Sequence, residues 1–227
     1  MPTKVIGFDA DDTLWVNENY FREGEERFCG LMSSFAREEE VMTELFRVEM
    51  QNLPLYGFGI KGFMLSMIET AQLIGGTQVG HHVFDEILEI GKNMLQKPVE
   101  LLGEVEHVLD TLKPDYRLVL VTKGDLLDQQ RKLHSSGLEK YFHHVEVMSD
   151  KKEGDYQKLM GHLDIAPSEF LMVGNSLKSD ILPVVNIGSK AIYIPYEITW
   201  MHEQVDESEI KHEYVQVDKI REILPYL

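Results

Sequence analysis

Near the start of the chain stands Lys4-Val5-Ile6-Gly7-Phe8-Asp9-Ala10-Asp11-Asp12-Thr13-Leu14. Residues 4–8 are an apolar run of strand length, almost continuous, as suits a strand buried on both faces of a parallel sheet. Three acids then fall within four residues. At the carboxyl end of a strand they face the crevice where open α/β sheets bind ligands. There they repel one another unless protons or a cation compensate. A hard divalent cation such as Mg²⁺ is the natural compensation, because it takes carboxylate oxygens and keeps several waters. The plainer alternative is that the acids cap the next helix, since Asp and Thr are also N-cap residues.

Working outward, four more runs read as strands, at residues 117–121, 144–148, 169–173 and 190–194. Helix-length segments lie between them at 124–136, 155–163 and 177–185. This alternation predicts an α/β fold, a doubly wound, Rossmann-like parallel sheet. A short helix at 219–224 is expected to close the chain, with Asp218 capping it and Pro225 stopping it. The gap between the first two strands breaks the pattern. Residues 17–96 carry amphipathic helical stretches at 20–36, 38–51, 60–74 and 83–95 and no buried strand. A crossover needs only a dozen or so residues. The expectation is therefore an all-helical cap domain at 16–97, inserted into a core of 1–15 plus 98–227. Residues 53–62, with three glycines and a proline, read as a loop inside it.

The other strand ends carry chemistry too. The second ends in Val121-Thr122-Lys123-Gly124, the third is followed by Ser149-Asp150-Lys151-Lys152, and the fourth ends in Gly174-Asn175-Ser176 with Asp180 beyond. Acid, hydroxyl, lysine and acid emerge along one edge of the sheet. Composition narrows the partners. Lys plus Arg number 22 against 39 Asp plus Glu, a formal net charge of −17, which opposes nucleic acid and anionic membranes. The single cysteine, Cys29, excludes an intrachain disulfide and a cysteine-rich zinc site. No apolar run approaches the ~20 residues of a membrane span, and Met1–Ala10, broken by Asp9, lacks a signal peptide's layout. A soluble, cytoplasmic protein is expected, of unspecified oligomeric state.

These motifs resemble those of the haloacid dehalogenase superfamily, in its phosphatase branch with a helical cap after the first strand. Asp9-Ala10-Asp11-Asp12-Thr13, Thr122, Lys151, and Asn175 with Asp180 match its four motifs in order, over about residues 4–195. The resemblance implies a Mg²⁺-dependent hydrolase of small phosphorylated metabolites that works through an aspartyl-phosphate. Asp9 would be the nucleophile and Asp11 the general acid/base. Thr122 and Lys151 would hold the phosphoryl group, and Asp9, Asp11, Asn175 and Asp180 would form the Mg²⁺ site. Two positions depart from the family. Asn175 stands where an acid is usual and would meet the metal through water or its amide oxygen. Lys123 stands where Asn is frequent, either as a phosphate contact or reaching solvent. Lys151 is favoured over Lys152 because it lies five residues before Tyr156.

A dehalogenase of the same fold uses no Mg²⁺ and lacks an acid two residues after the nucleophile, so Asp11 and Asp180 oppose it. A phosphomutase keeps the core motifs and differs in the cap, where Lys61 is a candidate. A phospho-receiver module carries its phosphorylated Asp after the third strand, is about half this length and has no helical insert. The pairs His81-His82 and His143-His144 read as solvated or capping, because adjacent residues do not face one way. Trp15 reads equally as cleft lining or core.

Overall fold

The computed structural model describes residues 2–206, 208, 210 and 212–227. Numbered in chain order, its helices are α1 (Glu18–Met32), α2 (Glu38–Tyr56), α3 (Ile60–Gly75), α4 (His81–Gln96), α5 (Val105–Leu112), α6 (Leu126–Ser136), α7 (Glu153–Leu163) and α8 (Leu182–Asn186). The chain divides into two compact units. One comprises Met1–Glu18, Val99–Lys123 and Gln129–Leu227, the other Asn19–Pro98 and Gly124–Asp128. No helix among the described residues is long and apolar enough to cross a membrane.

The first unit is built on strands β1 (Val5–Phe8), β2 (Arg117–Lys123), β3 (His144–Met148), β4 (Phe170–Gly174), β5 (Lys190–Tyr193) and β6 (Val215–Gln216). They form a parallel sheet in the order β3-β2-β1-β4-β5-β6, the doubly wound α/β arrangement. β1 pairs with both β2 and β4, so the strand order reverses there. In such sheets the binding crevice opens at the carboxyl ends beside that reversal. Asp9 is the next residue.

Both β1 and β4 are buried along their whole length, which accounts for their unbroken apolar sequence. Alternate residues feed two separate cores, because successive strand side chains point to opposite faces. Ile6, Phe8, Leu120 and Val173 join Val108 and Leu109 of α5 on one side; Val5, Val121, Phe170 and Met172 join Tyr156 and Leu159 of α7 on the other. Just beyond β1 the chain is tied to its own return. The amide of Val16 donates to the carbonyl of Glu100 and that of Leu102 to Leu14, both at 2.9 Å, and Trp15 forms an antiparallel bridge with Leu101.

In the helical unit, Phe28 and Met32 of α1, Leu45 of α2, Met67 of α3 and Ile87 and Ile90 of α4 share one core. Cys29 is buried among them. The expected loop at 53–62 shrinks to residues 57–59. Pro54 lies in the last turn of α2, where it removes only one helical hydrogen bond, and the amide of Gly57 still closes on Leu53 (3.0 Å). Gly57 and Gly59 have φ of +73° and +112°, so a three-residue turn suffices.

Other expectations change as well. The helix at 177–185 is a π-helical turn, Leu177–Ile181, followed by the short α8. Pro183 has no N–H to offer the carbonyl of Ser179, which accepts instead from the hydroxyl of Tyr156 at 2.9 Å. At the chain end, a 3₁₀ helix over Ile220–Tyr226 runs through Pro225, and Asp218 supplies no side-chain cap. Neither α5 nor β6 is among the elements expected from sequence.

The helical unit also carries two partly or fully buried acids, Glu25 and Glu49. Glu25 accepts from Arg22 at 2.9 Å. Burial, reinforced by Glu25, pushes the Glu49 carboxyl from 4.5 up to about 8. As pH rises from 4.5 to about 8, the unfolded chain therefore releases a proton that the folded chain retains, and stability falls. Glu49→Gln removes that loss. In urea titrations its stability relative to wild type should grow between about pH 4.5 and about pH 8 and then level off. A difference independent of pH would contradict the raised carboxyl.

Candidate active site

After β1, the amide of Asp9 continues the ladder by donating to Val173 at 2.9 Å. The chain then coils tightly. The amide of Leu14 closes on Ala10 (2.8 Å) and that of Asp12 on Trp15 (2.7 Å), with Asp12 at φ +61°. The Asp12 carboxylate accepts from the amides of Asn17 (2.8 Å) and Glu18 (3.0 Å) at the start of α1. Of the three acids, Asp12 does the capping. Asp9 and Asp11 face other partners.

Asp9 lies in a buried charge cluster. Lys151, only 2% exposed, places its ammonium 2.5 Å from Asp9 Oδ1 and 2.7 Å from Asp180 Oδ1. The other Asp180 oxygen accepts from the amide of Ser176 at 3.0 Å. Burial and the nearby Asp180 raise the Asp9 carboxyl to about 7, against the pull of Lys151. Burial alone would lower Lys151, but Asp180 and Asp9 hold it above the usual lysine range. Counted as ionised groups, two carboxylates and one ammonium leave one negative charge. Gly174 makes this packing possible, since a Cβ there would lie 2.4 Å from the Asp180 carboxyl carbon.

Asn175 adjoins the same carboxylate. Oriented to satisfy its neighbours, its amide nitrogen donates to Asp9 Oδ2 (3.1 Å), the carbonyl of Asp11 (3.1 Å) and Thr13 Oγ1 (3.2 Å). Thr13 Oγ1 also donates to Asp9 Oδ2 at 3.1 Å. Carboxylate, carbonyl and hydroxyl oxygens thus converge on one amide, which can turn its own oxygen toward them. An all-oxygen set of this kind fits a hard cation such as Mg²⁺ rather than a soft metal. Among the described residues, no three Asp, Glu, His or Cys side chains are grouped to hold a metal. The Asp11 carboxylate points elsewhere, so Asp11 adjoins this set through its backbone carbonyl, and Asp180 adjoins Asp9 through Lys151.

The Asp11 carboxylate sits among three donors: Lys132 Nζ at 2.5 Å, Trp15 Nε1 at 2.7 Å and Gln129 Nε2 at 2.8 Å. Burial opposes ionisation, yet Lys132, Gln129 and Trp15 together bring this carboxyl below its ordinary value. Gln129 and Lys132 lie three apart on one face of α6, and neither is among the residues expected from sequence. The only available signal is that α6 starts beside the carboxyl end of β2. Gln129 also donates to the carbonyl of Lys123 at 2.9 Å, while its own Oε1 is buried without a protein partner.

Thr122 is the penultimate residue of β2, one residue inside the strand rather than beyond it, and is 1% exposed, with its hydroxyl donating to the carbonyl of Lys123 at 3.3 Å. Gly124 then turns the chain at φ +122°. Lys123 extends toward Ser179 and Glu203. Lys152 pairs with Asp150 at 2.8 Å on the surface, and Lys61 pairs with Asp125 at 2.9 Å in the helical unit. His144 pairs with Glu146 at 2.8 Å.

Comparison with known proteins follows the same lines. A hydrolase from Xanthomonas campestris, described as haloacid dehalogenase-like, superposes with a TM-score of 0.85 at 36% identity, over 96% of this chain and 87% of that one. Human N-acylneuraminate-9-phosphatase is 25% identical over 83% of this chain and 80% of its own length. Glyceraldehyde 3-phosphate phosphatase of Pyrococcus furiosus is 25% identical over 85% and 81%. The family model for haloacid dehalogenase-like hydrolases matches residues 3–188, and the chain belongs to that family.

Proposed function

We propose that this protein is a Mg²⁺-dependent phosphatase of small phosphorylated metabolites, with Asp9 as nucleophile. The observation that carries the reading is the buried Asp9 at the end of β1, bracketed by the Lys151 ammonium and the oxygens around Asn175. A phosphate monoester repels nucleophiles through its anionic oxygens, so its hydrolysis needs positive charge beside the attacking group. Two relatives named as phosphatases, each matched over four-fifths or more of both chains, support the same reaction class.

In this reading an Asp9 oxygen attacks phosphorus and the bond to the leaving oxygen breaks, leaving phosphate on Asp9. Asp11 gives the leaving oxygen its proton. It then takes a proton from the water that attacks the aspartyl-phosphate, which restores Asp9 and releases phosphate. The donors around Asp11 favour its carboxylate, the form needed in the second step, and a bound phosphate dianion raises its affinity for a proton in the first. Lys151 and Thr122 hold the phosphoryl oxygens. Asp9, the Asp11 carbonyl and Asn175 would hold Mg²⁺, whose chemistry is to neutralise charge between nucleophile and phosphate. The helical residues 16–97 would act as the cap that selects substrates.

Two experiments test this. Exhaustive chelation should abolish hydrolysis of p-nitrophenyl phosphate, and added Mg²⁺ should restore it; undiminished release after chelation would remove the metal from the mechanism. The acids separate by leaving group. Asp9→Asn should form no covalent adduct. Asp11→Asn should lose about 10² to 10⁴ in rate on an alkyl phosphate. On a nitrophenyl ester it should still give a burst with phosphate trapped on Asp9, visible by rapid quench and protein mass spectrometry. An adduct on Asp9→Asn, or no burst from a folded Asp11→Asn, would overturn the assignment.

A further inference from the structure

Lys123 follows Thr122 at the end of β2, where a cation would be expected to meet phosphate. Its ammonium instead lies 2.7 Å from Glu203 Oε1 and 2.7 Å from Ser179 Oγ. Both members of the pair are largely buried, with 15% and 13% of their side chains exposed. The second Glu203 oxygen accepts from the hydroxyls of Ser176 and, at 2.6 Å, of Ser179. Ser176 Oγ in turn accepts from the amide of Ser179 at 3.0 Å. Every hydroxyl in this knot donates once and accepts once. Glu203 comes from the 3₁₀ turn Met201–Glu203, far along the chain from the motifs.

The knot leads directly to the catalytic cluster. Ser176 and Ser179 belong to the turn whose Asp180 takes the Ser176 amide on one oxygen and Lys151 on the other. Lys151 reaches Asp9. We propose, building on the phosphatase reading, that Glu203 is a positioning residue: it neutralises Lys123 and, through Ser176 and Ser179, fixes the turn that sets Asp180 and Lys151 against Asp9. Lys123 is then a structural counter-charge and not a phosphate ligand. Burial opposes a charge on Glu203, but Lys123, Ser176 and Ser179 lower its carboxyl to about 2, so the pair is ionised at neutral pH.

Three full-length variants test this: Glu203→Ala, Glu203→Gln and the double variant Lys123→Met/Glu203→Gln. Kinetics on p-nitrophenyl phosphate, inhibition by inorganic phosphate and melting temperature are the readouts. Displacing a catalytic group by about 1 Å can cost on the order of 10² in rate. Glu203→Ala and Glu203→Gln should therefore lose about 10- to 100-fold in kcat, with KM changing much less. The double variant should regain most of the loss of Glu203→Gln, because the amide oxygen still serves both serines and no unpaired charge remains. Phosphate inhibition should stay close to wild type in the double variant, which lacks the Lys123 ammonium but leaves no buried carboxylate unpaired. Strong weakening of that inhibition would make Lys123 a phosphate ligand and overturn the proposal, as would full kcat in folded Glu203→Ala. A double variant no better than Glu203→Gln would overturn it too. Wild type that releases no phosphate would instead sink the phosphatase reading. The positioning role is then read from a crystal structure of Glu203→Gln, where an undisturbed Lys151–Asp180 pair would refute it.

Discussion

A buried ammonium between two buried carboxylates sets the conditions that the rest of the sheet unit meets. Lys151 has almost no contact with solvent, and its charge is tolerable there only because Asp9 and Asp180 hold it from two sides. Each carboxylate needs its remaining oxygen satisfied as well. Asp180 uses the Ser176 amide, and Asp9 uses Thr13 and Asn175. The groups come from the ends of three elements, β1, β4 and the loop after β3, which only a parallel sheet brings to one edge.

Positioning of that edge rests on residues with no chemistry of their own. Gly174 leaves the volume that the Asp180 carboxyl fills. Pro183 withholds a donor from Ser179, and the carbonyl so freed receives the hydroxyl of Tyr156, a fully buried ring on α7. The wide turn carrying Asp180 is thus clamped to the layer beneath the sheet. Broken helix and fixed acid are two results of the same substitution in the backbone's hydrogen bonding.

Much of this was legible in the sequence, for identifiable reasons. Parallel strands covered on both faces must be apolar throughout, so β1, β2 and β4 stand out; β3, only partly buried at the sheet edge, shows a weaker run, and β6, two residues long, does not show at all. Asp9, Thr122, Lys151, Asn175 and Asp180 could be nominated because each lies in the last residues of a strand or just past one. Lys132 and Gln129 could not. They meet Asp11 across more than a hundred residues of chain, from a helix whose apolar pattern says nothing about its polar face. Glu203 is harder still, since it lies in an irregular segment among many other acids. The loop expected at 53–62 failed because glycine and proline mark places where a helix can stop, and α2 had one turn left to make.

The tie between residues 14–16 and 100–102 bears on how such a molecule tolerates change. Loop-closure entropy depends on the separation of chain ends and only weakly on the length between them. Here the two ends are already fastened side by side by backbone hydrogen bonds. To the sheet, some eighty intervening residues are topologically equivalent to the tip of a hairpin. Descendants of this chain can therefore lengthen, shorten or exchange that tip while the strands and their buried ammonium keep the same register, at a cost in closure entropy that grows only slowly with its length.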